Sequence, residues 1–197
     1  VLVAVGRKAN TEGLGLSELG VKLDAQGRIE VDRSYRTDRS NIFAVGDVIA
    51  GPMLAHKASE EGVAAVEIMA GHKPKVNYKT IPGVVYTSPE AASVGITEDE
   101  AKKSGTPYKA FKFPLMANGR SLASGNRDGF VKLISSSDNQ KILGAHIIAP
   151  HASEMIAEIV IAMECDATAE SIARTIHAHP TVSEATREAA LGLTTGV

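Results

Sequence analysis

Tryptophan is absent, and only four phenylalanines and four tyrosines stand among 197 residues, so the core has to be built from aliphatic side chains. There is one cysteine, Cys165. A single thiol makes no internal disulfide, which excludes a disulfide-stapled scaffold and a self-contained dithiol redox centre. Cys165 follows the apolar run Ile159–Met163 and is expected to be a small buried hydrophobe in a helix. Neither sign of charge is in excess. Twenty-one Lys and Arg against 23 Asp and Glu leave a net charge of −2. With no basic block, nucleic-acid binding has no footing. No apolar run reaches the length of a membrane span. The run Val1-Leu-Val-Ala-Val-Gly-Arg7 has no basic leader and no initial Met. It reads as a buried strand entered in mid-protein, not as a signal peptide.

The hydrophobic share of 44% is that of a globular chain, long enough for one or two domains. Val1–Val5, Arg28–Val31 and Asn41–Val45 are strand candidates, the last ending at Gly46-Asp47. Gly13-Leu-Gly-Leu-Ser-Glu18 has a glutamate where a dinucleotide fingerprint needs glycine and no strand leading into it, so a loop with a short helix over Leu16–Leu19 is expected. Leu54–Ala70 is a helix ended by Gly71, with small residues Ala55, Ala58, Gly62, Ala65 and Met69 on the face that meets a sheet.

After a linker at Lys73–Tyr78 the pattern changes. Val84–Thr87, Ser93–Ile96, Ala110–Phe113, Phe130–Ser135 and Ile142–Ile148 are strand candidates, with a hairpin turn at Ser136–Gln140. Thr97 and Glu100 have capping-box spacing. Met155, Ile156, Ile159, Val160 and Met163 form one apolar stripe, and Thr168 opens another helix. The region is α+β, a mixed sheet of about five strands covered by helices. The first part lacks sheet partners of its own.

The stretch His177-Ala-His-Pro-Thr-Val-Ser-Glu184 carries the clearest chemistry. Pro180 holds His179 out of the helical region. Thr181 reads as an N-cap with Glu184 at the capping-box position, so a helix is expected from about Val182 to Leu193. A histidine on a rigid turn, with a carboxylate able to fix its tautomer, is a mount for a general base. The same residues would also serve an ordinary turn and helix cap. His151 and Glu154 share a face, but zinc needs three or four ligands, so no metal site is assigned. His72 and His146 carry no functional reading.

The His-Ala-His-Pro-Thr-x-Ser-Glu-Ala stretch closely resembles the C-terminal signature of the dihydrolipoamide dehydrogenase family of flavin-dependent disulfide oxidoreductases. The resemblance implies that His179 is the catalytic base and Glu184 its partner, and that the His179–Pro180 bond is cis. Thr37-Asp-Arg-Ser-Asn-Ile-Phe-Ala-Val-Gly-Asp47 resembles the second flavin motif of that family. It implies that Asp47 binds the ribityl chain of FAD, with Met53, Leu54, Ala55 and His56 along the flavin. Gly6-Arg-Lys-Ala-Asn-Thr11 resembles the family's exit from its NAD domain, with Ala9 in place of proline. Tyr86-Thr-Ser-Pro-Glu-Ala-Ala-Ser-Val-Gly95 and Phe113-Pro-Leu-Met-Ala-Asn-Gly-Arg120 resemble its interface domain, although Ser88 and Ser93 stand where bulkier residues are common.

The domains so implied are 1–10, the end of an NAD-binding domain; 11–77, part of an FAD-binding domain; and 78–197, the interface domain. The Gly-rich fingerprints and the redox cysteine pair are missing. The chain is therefore expected to be the C-terminal part of a longer enzyme, inactive alone and weak or silent toward FAD. That enzyme would oxidise protein-bound dihydrolipoamide with NAD as co-substrate. It would act as a homodimer in the cytoplasm of a bacterium, or alternatively in the mitochondrial matrix. Its partner would be the lipoyl-bearing acyltransferase core of a 2-oxoacid dehydrogenase complex. The alternatives are a glutathione reductase-like or mercuric reductase-like enzyme, or a non-catalytic dimerisation and docking module. The tail Leu191–Val197 has no cysteine pair, which counts against the mercuric form. His177 and Ala178 favour the lipoamide form over the glutathione form.

Overall fold

The computed structural model describes residues 1–195; Gly196 and Val197, the end of the Leu191–Val197 tail, lie outside the described residues. The chain forms two compact units, Val1–Val76 and Asn77–Val197.

In the first unit the elements are a short helix α1 (Leu16–Leu19), a 3-10 turn (Gly46–Val48) and a helix α2 (Ala55–Met69). The three expected strands do not form. Residues 28–31 and 41–45 make only the isolated bridges Leu23↔Ile29 and Arg36↔Phe43. Val1–Val5 is unpaired, with Val1, Leu2, Val3 and Val5 all exposed. A strand is stable only beside another; residues 28–31 and 41–45 have only a short bridge each, and Val1–Val5 has no bridge among the described residues. What holds the unit is a small core of Val21, Ile29, Tyr35, Ala44, Ile49, Ala64 and Ala65. The buried stripe of α2 is Lys57, Glu61, Ala64 and Ala65, while Ala55 and Met69 are exposed. The inward face is thus rotated from the small-residue stripe expected, because two charged residues occupy it. Gly71 takes a positive φ after the last turn, and His72 N–H closes back on the Glu67 carbonyl at 2.9 Å.

The second unit is an α+β layer structure. Strands β1 (Gly83–Val85), β2 (Glu90–Gly95), β3 (Tyr108–Pro114), β4 (Phe130–Ser136) and β5 (Ile142–Ala149) form one sheet in the order β1-β2-β5-β4-β3. Every pair is antiparallel, so the sheet is not mixed. Helix α3 (Glu98–Ser104) begins at the expected capping box, with Thr97 and Glu100 bonded reciprocally, and stops at Gly105 in the left-handed conformation. A short helix α4 (Gly119–Ser124) follows β3.

Helices α5 (Ala152–Glu164), α6 (Ala169–Arg174) and α7 (Glu184–Thr195) complete the unit. Their buried residues Ile156, Ile159, Ile172, Ala185, Ala189 and Leu193 join Leu115, Val131, Leu133, Ala145 and Ile147 in one core. Each fully buried Leu or Ile contributes roughly 1.5–3 kcal/mol. The core is aliphatic, as the scarcity of aromatics requires. At Gly192 a Cβ would stand 2.4 Å from the Phe111 ring, so only glycine lets α7 lie this close to β3. Cys165 is exposed, not buried. It is the C-cap of α5, where the chain has already turned off the apolar stripe.

Candidate functional site

The second unit brings His179 and Glu184 together. The His179–Pro180 bond is cis, as expected; Ser88–Pro89 is also cis. Helix α7 begins at Glu184, two residues later than expected. Thr181 does not cap it, because its hydroxyl donates instead to the Ala178 carbonyl at 2.7 Å. Half of the capping box survives, with the Thr181 N–H donating to Glu184 Oε2 at 2.8 Å. The other carboxylate oxygen, Oε1, stands 2.9 Å from His179 Nδ1. Glu184 thus holds the loop with one oxygen and the imidazole with the other. The His179 side chain is 77% exposed and that of Glu184 25%.

An ionised carboxylate only accepts, so Nδ1 of His179 carries the hydrogen and Nε2 of the neutral ring keeps the lone pair. The Thr181 N–H, and after it the His179 hydrogen bond and nearby charge, hold the Glu184 carboxyl below its ordinary value of 4.5, against a smaller opposing effect of burial. A depressed folded value means that the unfolded chain binds this proton more readily. The stabilisation is therefore full above the ordinary value and is lost as pH falls through the lowered one. We expect the His179–Glu184 contact to survive mild acid and open only below pH 4.5. Carboxyl-carbon NMR of Glu184 across an acid titration checks this; a midpoint at or above the ordinary value would contradict it.

Two neighbours support the turn, of which Asn118 carried no such reading in the sequence. Asn118 is buried, accepts the Ser121 N–H at 2.9 Å and donates through Nδ2 to the Thr181 carbonyl at 3.1 Å, tying the His-Pro turn to the start of α4. His177 is nearly buried, with Nδ1 at 3.0 Å from the Thr175 carbonyl and Nε2 at 2.6 Å from Glu158 Oε1. The carbonyl and an ionised carboxylate both only accept, so the ring is held by an acceptor at each of its nitrogens. His177 braces the strap that leads into His179. His151 and Glu154 line a shallow cleft beside Pro180 with Arg120 and Glu158. Among the described residues no group of three or more side chains is arranged to hold a metal.

The first unit holds the other candidates. Asp47 lies in the 3-10 turn that follows Val45, not at the end of a strand. Its carboxylate is half-exposed and 3.8 Å from Arg7 Nη1, which also donates to the Met53 carbonyl at 3.3 Å. Met53 and Leu54 are half-buried, and Ala55 and His56 are exposed. The N-cap residue of α2, Leu54, makes no side-chain cap, and a helix start favours electron-rich ligand atoms. An exposed carboxylate for hydroxyls beside an uncapped helix start fits one side of a flavin. Lys57 is buried with Glu61 behind the turn.

Residues 81–190 match the dimerisation domain of the pyridine nucleotide-disulphide oxidoreductases, and residues 1–62 match the pyridine nucleotide-disulphide oxidoreductase domain itself. The chain belongs to the pyridine nucleotide-disulphide oxidoreductase family. It is 53% identical over 191 residues to the mitochondrial dihydrolipoyl dehydrogenase of Pisum sativum, covering 97% of this chain and 38% of that one. It is 54% identical over 190 residues to the dihydrolipoyl dehydrogenase of Geobacillus stearothermophilus, covering 96% and 40%. The chain therefore spans about two fifths of the relatives it matches. Among solved structures it is similar to LpdA from Mycobacterium tuberculosis, with a TM-score of 0.91 at 32% identity, over 98% of this chain and 42% of that one. It is also similar to the HOCl-induced flavoprotein disulfide reductase RclA from Escherichia coli, with a TM-score of 0.87 at 25% identity, over 95% and 44%. No described helix is long and apolar enough to cross a membrane.

Proposed function

We propose that the chain is the C-terminal part of a dihydrolipoamide dehydrogenase and supplies its general base. The observation that carries this reading is the 2.9 Å contact from His179 Nδ1 to Glu184 Oε1 on an exposed turn. It leaves Nε2 as the basic nitrogen. A dithiol attacks a disulfide only as thiolate, and a free thiol is mostly protonated at neutral pH. His179 Nε2 takes that proton. Glu184 holds the ring and stabilises the imidazolium that forms. The redox cysteine pair lies outside this sequence. An isologous dimer, formed through residues 78–197, would bring the His179 of one chain to the pair of the other.

Residues 1–10 and 11–77 are read as pieces of the NAD- and FAD-binding domains. Asp47 would accept hydrogen bonds from the ribityl hydroxyls, and Met53, Leu54, Ala55 and His56 would lie along the flavin. FAD, when bound, carries electrons from the dithiol to NAD. The relatives named dihydrolipoyl dehydrogenase support this choice over the glutathione and mercuric forms, and we read a lipoyl-bearing acyltransferase core as the partner. They include bacterial and mitochondrial proteins, and we favour a bacterial cytoplasm. The test is a substrate comparison on the complete protein. We expect rapid NAD reduction with dihydrolipoamide and none with reduced glutathione. Turnover of glutathione disulfide with NADPH in place of lipoamide would overturn the assignment.

A further inference from the structure

Two wholly buried charges stand on α2 behind Asp47. Lys57 Nζ and Glu61 Oε2 are 3.1 Å apart at i and i+4, and neither side chain touches solvent. Such a pair is poor evidence of a stability device, because desolvating two charges offsets much of their attraction. Its geometry shows what else it does. Glu61 Oε2 accepts the Gly46 N–H at 2.7 Å, and Lys57 Nζ donates to the Gly46 carbonyl at 3.1 Å. Both backbone groups of a single residue are gripped by opposite charges from one helix. Charge-assisted bonds are shorter and stronger than neutral ones, so the grip is stiff.

The gripped residue is the one before Asp47. Gly46 has φ +76°, and a Cβ there would stand 3.0 Å from that of Ala58. The Lys57 stem also runs against Gly51, at φ +121°, where a Cβ would lie 3.0 Å from Lys57 Cε. One side chain therefore meets the loop at both of its glycines, and Asp47 is the first residue after the grip. We infer that Lys57 and Glu61 are positioning residues that fix Gly46 so that the Asp47 carboxylate is presented to the polyol chain of a bound flavin. The inference rests on the reading of Asp47 as a flavin-binding residue.

The experiment uses the complete protein, stripped of flavin and titrated with FAD, with binding followed by flavin fluorescence. Four forms are compared: wild type, Asp47→Asn, the paired Lys57→Met/Glu61→Gln, and the triple variant. Glutamine keeps an acceptor for the Gly46 N–H while both charges are removed. Asp47→Asn is expected to raise the FAD dissociation constant about tenfold or more, as for loss of a hydrogen bond to a charged group. The paired variant is expected to raise it by a similar factor. Because the pair acts through Asp47, the triple variant should bind no worse than about threefold below Asp47→Asn alone, whereas independent effects would multiply.

A paired variant that binds FAD within about twofold of wild type, or losses that multiply in the triple variant, would overturn the inference while leaving Asp47 its role. Asp47→Asn without effect would remove the reading of Asp47, and the inference with it. Where the paired variant does not fold, Glu61→Gln alone, which keeps the side chain's shape, takes its place in the same comparison.

Discussion

Replacing His179 by glutamine in the complete protein is expected to lower turnover of dihydrolipoamide by ~10²–10⁴-fold, the usual contribution of a placed general base. The melting temperature should not move, because the His179 side chain is 77% exposed and bonds only to Glu184 among the described hydrogen bonds. Glu184→Gln should also cost activity, but less. The carboxylate offers two acceptor oxygens and both are used, Oε1 by His179 and Oε2 by the Thr181 N–H. Glutamine has one acceptor oxygen, so either the ring or the loop loses its hold. Steady-state assays with separate kcat and KM check the pair. If the protein served only as a dimerisation and docking module, neither substitution would change turnover.

The largest effect on stability is expected at Lys57. Lys57→Met removes the counter-ion that stands 3.1 Å from the wholly buried Glu61 carboxylate and should destabilise the first unit by ~3–5 kcal/mol. Adding Glu61→Gln should recover most of that loss, since the stranded charge is then gone. Urea unfolding of this chain, followed by circular dichroism, gives both numbers. A single variant as stable as wild type would mean that water reaches the Glu61 carboxylate.

The second unit was readable because its signals are local. Two runs on either side of a hairpin turn marked β4 and β5 (Phe130–Ser136 and Ile142–Ala149), the capping-box spacing at Thr97 marked the start of α3, and Thr168 marked that of α6. One proline and a short spacing suggested a pairing of His179 with Glu184 but fitted an ordinary helix cap equally, and the family resemblance implied the pair. Thr181 misled, because its hydroxyl had a nearer acceptor in Ala178. The first unit was less legible, since apolar runs such as Val1–Val5 read as strands whether or not a neighbour exists to pair with them. Lys57 and Glu61 were hidden for a different reason. A Lys and a Glu one turn apart on a helix ordinarily mark a solvated face. Only the fold shows that both point at Gly46. Cys165 was misplaced by a single turn of helix, since burial at the end of α5 depends on where the chain bends away.

The central claim is that His179 serves the cysteine pair of the other chain. Mixed dimers test it most directly, with one subunit carrying His179→Gln and the other lacking a redox cysteine. Each homodimer should be nearly inactive. In the mixed dimer one of the two sites combines an intact cysteine pair with an intact His179 from across the interface, so part of the activity should return. Mixed dimers that form but regain no activity would contradict the account, because a histidine acting within its own chain leaves every site one component short.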